Sequence, residues 1–358
     1  MRSIALIGSA FLIFAIGCGT PGAPQPPSLK LPRPVNDMTA TRKGDRVILT
    51  WTPPARTTDK QNIAKSGVTH VCRVTAQFPI IECGAPVATL GPDDGEVIPG
   101  DPPKKAFEDR LPSDLQQANP TEFVTYALEV SNPRGRSAGA SNQVRVPLAP
   151  TLAPPAQLNT KLLPDGILLT WNVEAPVPSA DLSYSYRIYR REAGTSGSVP
   201  LAVVPMSEAS TEFLDRSFEW EKTYDYWVTG VTEARHNQVR IAEVEGEDSP
   251  VAKVTARDTF APAQPSGVQA VFSGPGQKPA IDLTWAPNLE ADLAGYNIYR
   301  RAQGSQPERI NAEPAKAPSF KDETVEPGRE YFYSVTAVDL RGNESQRSVE
   351  ASEKTANP

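Results

Sequence analysis

Short stretches of alternating apolar and polar residues, not helical periodicity, organise this chain. The clearest stretch is a β-branched and apolar run that ends in Thr-Trp and occurs three times, at Val47–Trp51, Ile167–Trp171 and Ile281–Trp285. Every second side chain of such a run lies on one face of a β-strand. The copies begin more than 100 residues apart, which is far longer than a solenoid repeat and typical of whole domains in tandem. The pattern predicts a series of β-domains.

Composition supports the same fold class. The 37 prolines and 24 glycines among 358 residues suit many short strands joined by turns. No stretch of 15 residues keeps an apolar period of 3.6 residues. We therefore predict an all-β chain of β-sandwiches, and its length allows two or three domains.

The amino terminus is a separate element. Arg2 supplies a positive charge, and Ile4–Ile16 is an apolar stretch of 13 residues. A membrane-spanning helix needs about 20 apolar residues. We therefore predict that residues 1–17 form an export signal peptide.

The end of this segment, Ala15-Ile16-Gly17-Cys18, resembles the lipobox of bacterial lipoproteins. The resemblance implies that Cys18 is diacylated, that the signal is cut before it, and that the mature chain is tethered to a membrane by lipid. Gly19 is not the aspartate that retains lipoproteins at the inner membrane in the enterobacterial members of the family, which favours the outer membrane, on its periplasmic or surface face. The alternative is an ordinary signal peptide with an incidental cysteine.

The remaining cysteines predict a disulfide. If Cys18 carries lipid, Cys72 and Cys83 are left, close enough in sequence to bridge across a hairpin. An oxidising compartment would favour that bond. Two independent buried thiols are the alternative.

The repeats resemble fibronectin type III domains, and the third copy shows it best. Ile281–Trp285 fits strand B, Tyr296 and Ile298 fit strand C, and Val325–Tyr331 fits the corner motif before strand F. In that family the corner tyrosine hydroxyl bonds back to the backbone, which implies this contact for Tyr331. The first copy departs, because Val124 takes the corner position and Tyr126 the next inward one.

The resemblance divides the chain into five parts. They are the signal peptide (1–17), a Pro-rich tether (18–34) and three fibronectin type III domains (35–147, 155–257 and 265–356). The proline-bearing linkers should string the domains semi-rigidly. A frayed terminus without a spacing role is the alternative for the tether.

Candidate chemistry is sparse. The two histidines, His70 and His236, come with no hydrolase, metalloprotease or phosphate-binding motif. The acidic stretches Asp93–Glu96 and Glu245–Asp248 lack the ligand spacing of a calcium loop, and we interpret them as acidic turns. We predict no enzyme activity, no cofactor and no metal site.

Partners are constrained by charge and by the exposed segments. A net charge of −6 without a basic stripe disfavours nucleic acid. The loop Gly84–Pro103 and the hairpin Thr232–Glu247 exceed what the repeat requires, so they are the best places for a binding surface if the chain has one. Solvated loops without a binding role are the alternative. Sugar-stacking candidates are Tyr189, Trp227 and Tyr299, which we expect not to cluster in one domain.

Two functions remain. The first is a lipid-anchored cell-envelope protein that presents fibronectin type III modules to a protein partner. The second is a carbohydrate-binding accessory protein of a glycan-degrading system. We favour the first.

Overall fold

The structure, a computed structural model, describes residues 28–75, 78–80, 83–172, 176, 179–206, 211–273 and 278–357. The predicted signal peptide, Cys18 and the start of the predicted tether lie outside these residues. The chain forms two compact units, one of Met1–Pro150 with Ala234–Val244 and one of Thr151–Glu233 with Glu245–Pro358. None of the helices in the described ranges has the length and apolar character needed to cross a bilayer.

The first sandwich consists of two antiparallel sheets. Its sheets run in the orders β1-β2-β6-β5 and β4-β3-β7-β8, and β9 also pairs with β7. A short helix, α1, follows β6. The elements are β1 (Thr39–Lys43), β2 (Arg46–Trp51), β3 (Thr69–Thr75), β4 (Ala88–Leu90), β5 (Glu96–Ile98), β6 (Lys104–Arg110), α1 (Ser113–Ala118), β7 (Phe123–Ser131), β8 (Ser137–Ala140) and β9 (Val144–Pro147).

The second sandwich also has two antiparallel sheets, one of three strands and one of five. Its sheets run β10-β11-β14 and β13-β12-β15-β16, and β17 also pairs with β15. The strands are β10 (Ala156–Leu163), β11 (Gly166–Asn172), β12 (Leu182–Glu192), β13 (Val199–Pro205), β14 (Glu212–Asp215), β15 (Thr223–His236), β16 (Val239–Asp248) and β17 (Ala252–Thr255).

The third sandwich is the most regular. Its sheets run β18-β19-β22 and β21-β20-β23-β24. The strands are β18 (Gln269–Phe272), β19 (Ile281–Thr284), β20 (Leu293–Ala302), β21 (Glu308–Arg309), β22 (Ser319–Asp322), β23 (Glu330–Asp339) and β24 (Ala351–Lys354).

Each sandwich encloses its own hydrophobic core, and each core holds one of the repeated tryptophans. Trp51, Trp171 and Trp285 are 1%, 2% and 6% exposed and belong to three separate clusters of buried side chains. The alternation of the Thr-Trp runs places them there, because every second residue of a strand shares a face. The prediction of an all-β fold of immunoglobulin-like sandwiches is confirmed.

The predicted corner contact is present in the third sandwich. The backbone N–H of Glu326 donates to the Tyr331 hydroxyl at 3.0 Å. Tyr224 accepts in the same way from the N–H of Glu219, also at 3.0 Å. In the first sandwich Val124 is fully buried at the corner position. That sandwich therefore lacks the contact, as its sequence predicts.

Two segments are more ordered than the sequence indicates. The predicted loop Gly84–Pro103 contains strands β4 and β5, and these join different sheets of the first sandwich. The last residues of the predicted tether also contact that sandwich, because Pro32 forms a β-bridge with Thr57 and Asn132 Nδ2 donates to the carbonyl of Leu29 at 2.9 Å. The sequence pattern does not predict that either segment is ordered, since both are rich in proline and polar residues.

Helix α1 is a feature that the sequence analysis did not predict. Its Gln116 is buried and accepts a hydrogen bond from Arg42 Nη2 at 2.7 Å. The same guanidinium donates to the carbonyls of Pro147 and Ala149. The start of the first predicted linker is therefore fastened to the first sandwich.

Candidate functional site

The charged residues nearest the cores form one motif three times, which we call the Arg–Asp–Tyr triad. In each sandwich, one arginine and one tyrosine come from two paired strands of the same sheet. Both contact an aspartate that belongs to the opposite sheet. The members are Arg73, Asp109 and Tyr126 in the first sandwich, Arg190, Asp215 and Tyr226 in the second, and Arg300, Asp322 and Tyr333 in the third.

Register and alternation bring the triads together. Arg300 lies directly opposite Tyr333 in the β20–β23 pairing, and two residues from Ile298, whose side chain is in the core. The arginine therefore points to the inner face at the end of the core. Asp322 closes the β19–β22 pairing opposite Ile281, so that its carboxylate reaches both side chains.

The geometry is nearly the same in all three sandwiches. The arginine Nη1 to aspartate Oδ2 distances are 2.7, 2.7 and 2.8 Å. The tyrosine hydroxyls donate to the same Oδ2 atoms at 2.5, 2.8 and 2.8 Å. In the second and third sandwiches the other carboxylate oxygen accepts from the backbone and hydroxyl of Ser217 and Thr324.

In the second and third sandwiches these contacts hold the aspartates in the charged form. Burial alone would raise the pKa of Asp322, but hydrogen bonds from Thr324, Tyr333 and Arg300 outweigh it and lower that pKa. The pKa of Asp215 is lowered in the same way. Burial would raise it, and the hydrogen bonds from Ser217 oppose burial most strongly. Burial and the aspartate raise the pKa values of Tyr226 and Tyr333. All three triads thus join the two sheets of a sandwich, and those of the second and third sandwiches have no proton to exchange near neutral pH.

The stability of the second and third sandwiches should decrease at acid pH. The lowered pKa values of Asp215 and Asp322 mean that the carboxylates contribute stability above the unfolded-state value, about 3.9, and lose it as the pH falls through the folded values. We expect urea midpoints that are constant from about pH 7 to 5 and fall below about pH 4. In an Asp322→Asn variant the third sandwich should be less stable at pH 7 and lose the part of its acid dependence that Asp322 supplies. A midpoint that rises on acidification would contradict the assignment.

The three aromatic sugar-stacking candidates do not lie in one domain, as we expected. Tyr189 and Trp227 lie in the second sandwich and stack, with ring centroids 5.4 Å apart and planes at 13°, whereas Tyr299 lies in the third. Arg191 lies 5.7 Å from the Trp227 centroid, and the Tyr189 hydroxyl donates to Glu245 at 2.6 Å. Burial and that hydrogen bond raise the pKa of Tyr189 to about 12.

Tyr299 has the same kind of surroundings in the third sandwich. Arg347 lies 4.4 Å from its ring centroid, and its hydroxyl donates to Glu344 at 2.7 Å. Ring faces covered by arginine or by another ring offer little area for a sugar to stack on. These aromatics shield the outer faces of the sheets, as arginine stems and aromatic rings commonly do.

The acidic stretches differ from each other. Asp93 and Asp94 lie in a turn, where Asp94 Oδ2 accepts from the N–H of Gly91 at 2.7 Å. Glu245–Asp248, predicted as an acidic turn, lies instead within strand β16. The interpretation as a turn is therefore wrong for this second stretch, because the hairpin is longer than its polar sequence indicates. His236 ends strand β15 at the tip of the hairpin.

A third acidic group escapes sequence reasoning. Asp258, Asp292 and Asp339 each offer a carboxylate oxygen, and these oxygens lie within 4.8 Å of one another. Asp258 and Asp339 are 8% and 2% exposed. Oxygen donors of this kind suit a hard divalent cation. Asp339 is also held by the turn that follows it, since it accepts from the N–H groups of Arg341 and Asn343.

The predicted cysteine pair is joined in the structure. Cys72 in strand β3 and Cys83 form a disulfide with a Cα–Cα distance of 5.2 Å. Beside it lies a cavity of about 560 Å³ on the outer face of the β3–β7 sheet, lined among others by His70 and Glu129. His70 lies opposite Glu129 in the strand pairing, and its Nδ1 is 3.0 Å from Thr89 Oγ1.

Curated proteins match about a quarter of the chain. No protein-family profile matches the chain. A segment of 95 residues, 26% of this chain, is 40% identical to 7% of an amylopullulanase from Thermoanaerobacterium saccharolyticum. A segment of 97 residues is 40% identical to 5% of the amylopullulanase from Thermoanaerobacterium thermosulfurigenes. The chain thus spans less than a tenth of the length of these relatives.

Two solved structures are similar as well. An Fn3-like protein from Clostridium thermocellum is 30% identical over 28% of this chain and 98% of its own, with a TM-score of 0.23. The FN1–FN3 domains of chicken CNTN1 are 17% identical over 90% of this chain and 99% of their own, with a TM-score of 0.27. Both are fibronectin type III proteins.

Proposed function

We propose that this chain is a non-catalytic, lipid-anchored protein of the bacterial cell envelope that presents fibronectin type III modules to a protein partner. The observation that carries the proposal is the repeated use of the Arg–Asp–Tyr triad. Three times these charged groups join the two sheets of a sandwich, so the polar groups next to each core have a structural role. These polar groups therefore stabilise the sandwiches.

The anchor is the second element of the proposal. It rests on Ala15-Ile16-Gly17-Cys18 at the end of the apolar segment. The tether that follows would hold the first sandwich away from the lipid surface, with its last residues docked on that sandwich through Leu29 and Pro32. The hairpin Thr232–Glu247 is the candidate partner-binding segment, because the repeat does not require its length.

A Cys18→Ser substitution tests the anchor. We expect the variant to leave the membrane fraction, because the acylated thiol is gone, and mass spectrometry of the wild-type amino terminus to show a lipid-modified cysteine. A double Cys72→Ser, Cys83→Ser variant is the matched control and should stay with the membrane. Wild-type protein with a free amino terminus downstream of Cys18 would contradict the proposal.

The similarity to amylopullulanases favours a second candidate, an accessory protein of a glycan-degrading system. In those enzymes the matching segment is a small part of a long chain, as expected of an accessory module. Partner capture separates the candidates. A cross-linked envelope protein that is lost on shortening the 232–247 hairpin supports presentation to a protein, whereas retention on insoluble starch supports the accessory role.

A further inference from the structure

The three sandwiches allow the same position to be compared within one chain. The triads align Arg73 with Arg190 and Arg300, and Tyr126 with Tyr226 and Tyr333. The residue just before each arginine lies on the outer face of its sheet, since neighbouring side chains of a strand alternate. This position holds Cys72 in the first sandwich and a tyrosine, Tyr189 or Tyr299, in the other two.

In the second and third sandwiches the tyrosine at this outer position is hydrogen-bonded to a glutamate of the same sandwich. Tyr299 and Thr336 donate to Glu344 Oε1 at 2.7 and 2.5 Å, and Asn297 Nδ2 donates to it at 3.1 Å. In the second sandwich Tyr189 and Arg187 both donate to Glu245. A tyrosine and a glutamate therefore occupy the outer face and satisfy each other.

In the first sandwich both of these groups are replaced. Cys72 stands in place of the tyrosine and forms the disulfide with Cys83. Ser137 stands where the third sandwich has Glu344, since Ser137 and Glu344 each follow the turn by the same number of residues. The space that the Tyr–Glu pair fills elsewhere is here the cavity of about 560 Å³.

Three glycines contribute to the wall of the cavity. Gly84, Gly135 and Gly139 line it, and a Cβ atom added to any of them would meet no other atom within 4 Å. The volume falls in the range of small-molecule sites, roughly 300–1,000 Å³.

The polar groups of the cavity include both donors and acceptors. Glu129 accepts a hydrogen bond from Ser137, and its second oxygen has no partner among the residues that the structure describes. His70 uses Nδ1 toward Thr89, which leaves Nε2 without a described partner. These two side chains lie on paired strands at the same level. Because a hydroxyl group both donates and accepts hydrogen bonds, a ligand with several neutral hydroxyl groups would satisfy the Glu129 oxygen and either tautomer of His70.

We propose that this cavity binds a small neutral saccharide, with Glu129 accepting from and His70 contacting its hydroxyl groups. The site is distinct from the aromatic side chains of the other two sandwiches, which arginines cover. The sugar-binding proposal does not depend on the proposed presentation of modules to a protein partner. It would supply a sugar site for the accessory role.

Filling the cavity tests the proposal. The full-length protein in detergent would be titrated with maltose, cellobiose and chitobiose by ligand-observed NMR and calorimetry. Gly84→Leu adds a large side chain at a residue that lines the cavity and whose backbone is not left-handed. Gly197→Leu is the matched control in the second sandwich, since its Cβ would also meet nothing within 4 Å. We expect wild type and Gly197→Leu to bind at least one sugar, and Gly84→Leu to bind it at least about tenfold more weakly, a difference of about 1.4 kcal/mol.

A second variant distinguishes loss of sugar binding from loss of folding. Glu129→Gln removes the charged acceptor while keeping the size of the side chain, and it should weaken binding without changing the unfolding midpoint by more than a few degrees. The proposal is overturned if wild type binds none of the three sugars, or if both variants bind as wild type does. Loss of sugar binding leaves membrane fractionation of Cys18→Ser unaffected, so the two proposals fail separately.

Discussion

Replacing Asp322 by alanine should destabilise the third sandwich by about 3–5 kcal/mol. The substitution leaves the guanidinium of Arg300, whose side chain is 24% exposed, without its carboxylate. It also removes the acceptor of the Tyr333 hydroxyl, which is fully buried. Breaking a buried ion pair by deleting one partner costs more than the pair contributes, because the remaining charge stays desolvated. Chemical denaturation followed by tyrosine and tryptophan fluorescence measures the loss.

The neighbouring residue provides the control. Glu323 pairs with Lys278 at 3.3 Å, but both side chains are more than half exposed. A Glu323→Ala substitution should therefore change the unfolding free energy by about 1 kcal/mol or less. Tyr333→Phe should lie between the two, since it removes a single hydrogen bond worth about 1–3 kcal/mol to a charged acceptor. Equal effects of Asp322→Ala and Glu323→Ala would refute the structural role of the triad.

The strands and cores were predictable because they depend on local patterns. Alternation in Ile281–Trp285 placed Leu283 and Trp285 inward, and the corner motif placed Tyr331 against the turn. For the triad, the sequence reveals the residues but not their pairing. The sequence shows an aspartate at a fixed distance before the corner tyrosine in two repeats, and Arg-Arg after Tyr-x-Ile-Tyr, but the pairing of these groups needs the register of β20 with β23.

Contacts between distant segments could not be predicted from the pattern. Asp258, Asp292 and Asp339 come from a linker, a loop and a strand end, and no spacing rule joins them. The cavity beside Cys72 depends on replaced side chains, since Cys72 and Ser137 stand where the third sandwich carries Tyr299 and Glu344. Strand β5 pairs with β6 through Glu96–Ile98, a segment whose flanking prolines and aspartates indicate a loop. In each case tertiary contacts outweigh local propensity.

Trp171→Ala should destabilise the second sandwich by about 3–5 kcal/mol and leave the other two unchanged. Trp171 is 2% exposed and meets Tyr186 edge to face, with ring centroids 5.5 Å apart. Alanine would leave a cavity in a core that shares no residue with the cores around Trp51 and Trp285. For a domain of about 100 residues this loss lowers the unfolding midpoint by at least about 12 °C.

Calorimetry of the whole chain distinguishes local from shared destabilisation. One transition should move down while the others keep their midpoints, because the cost of a cavity falls on the side chains that line it. Val251→Ala is the control in the same sandwich, since Val251 is 56% exposed and its truncation should change stability by about 0.5 kcal/mol or less. If all transitions shift together in Trp171→Ala, the sandwiches unfold as one cooperative body, and the tryptophans do not mark independent modules.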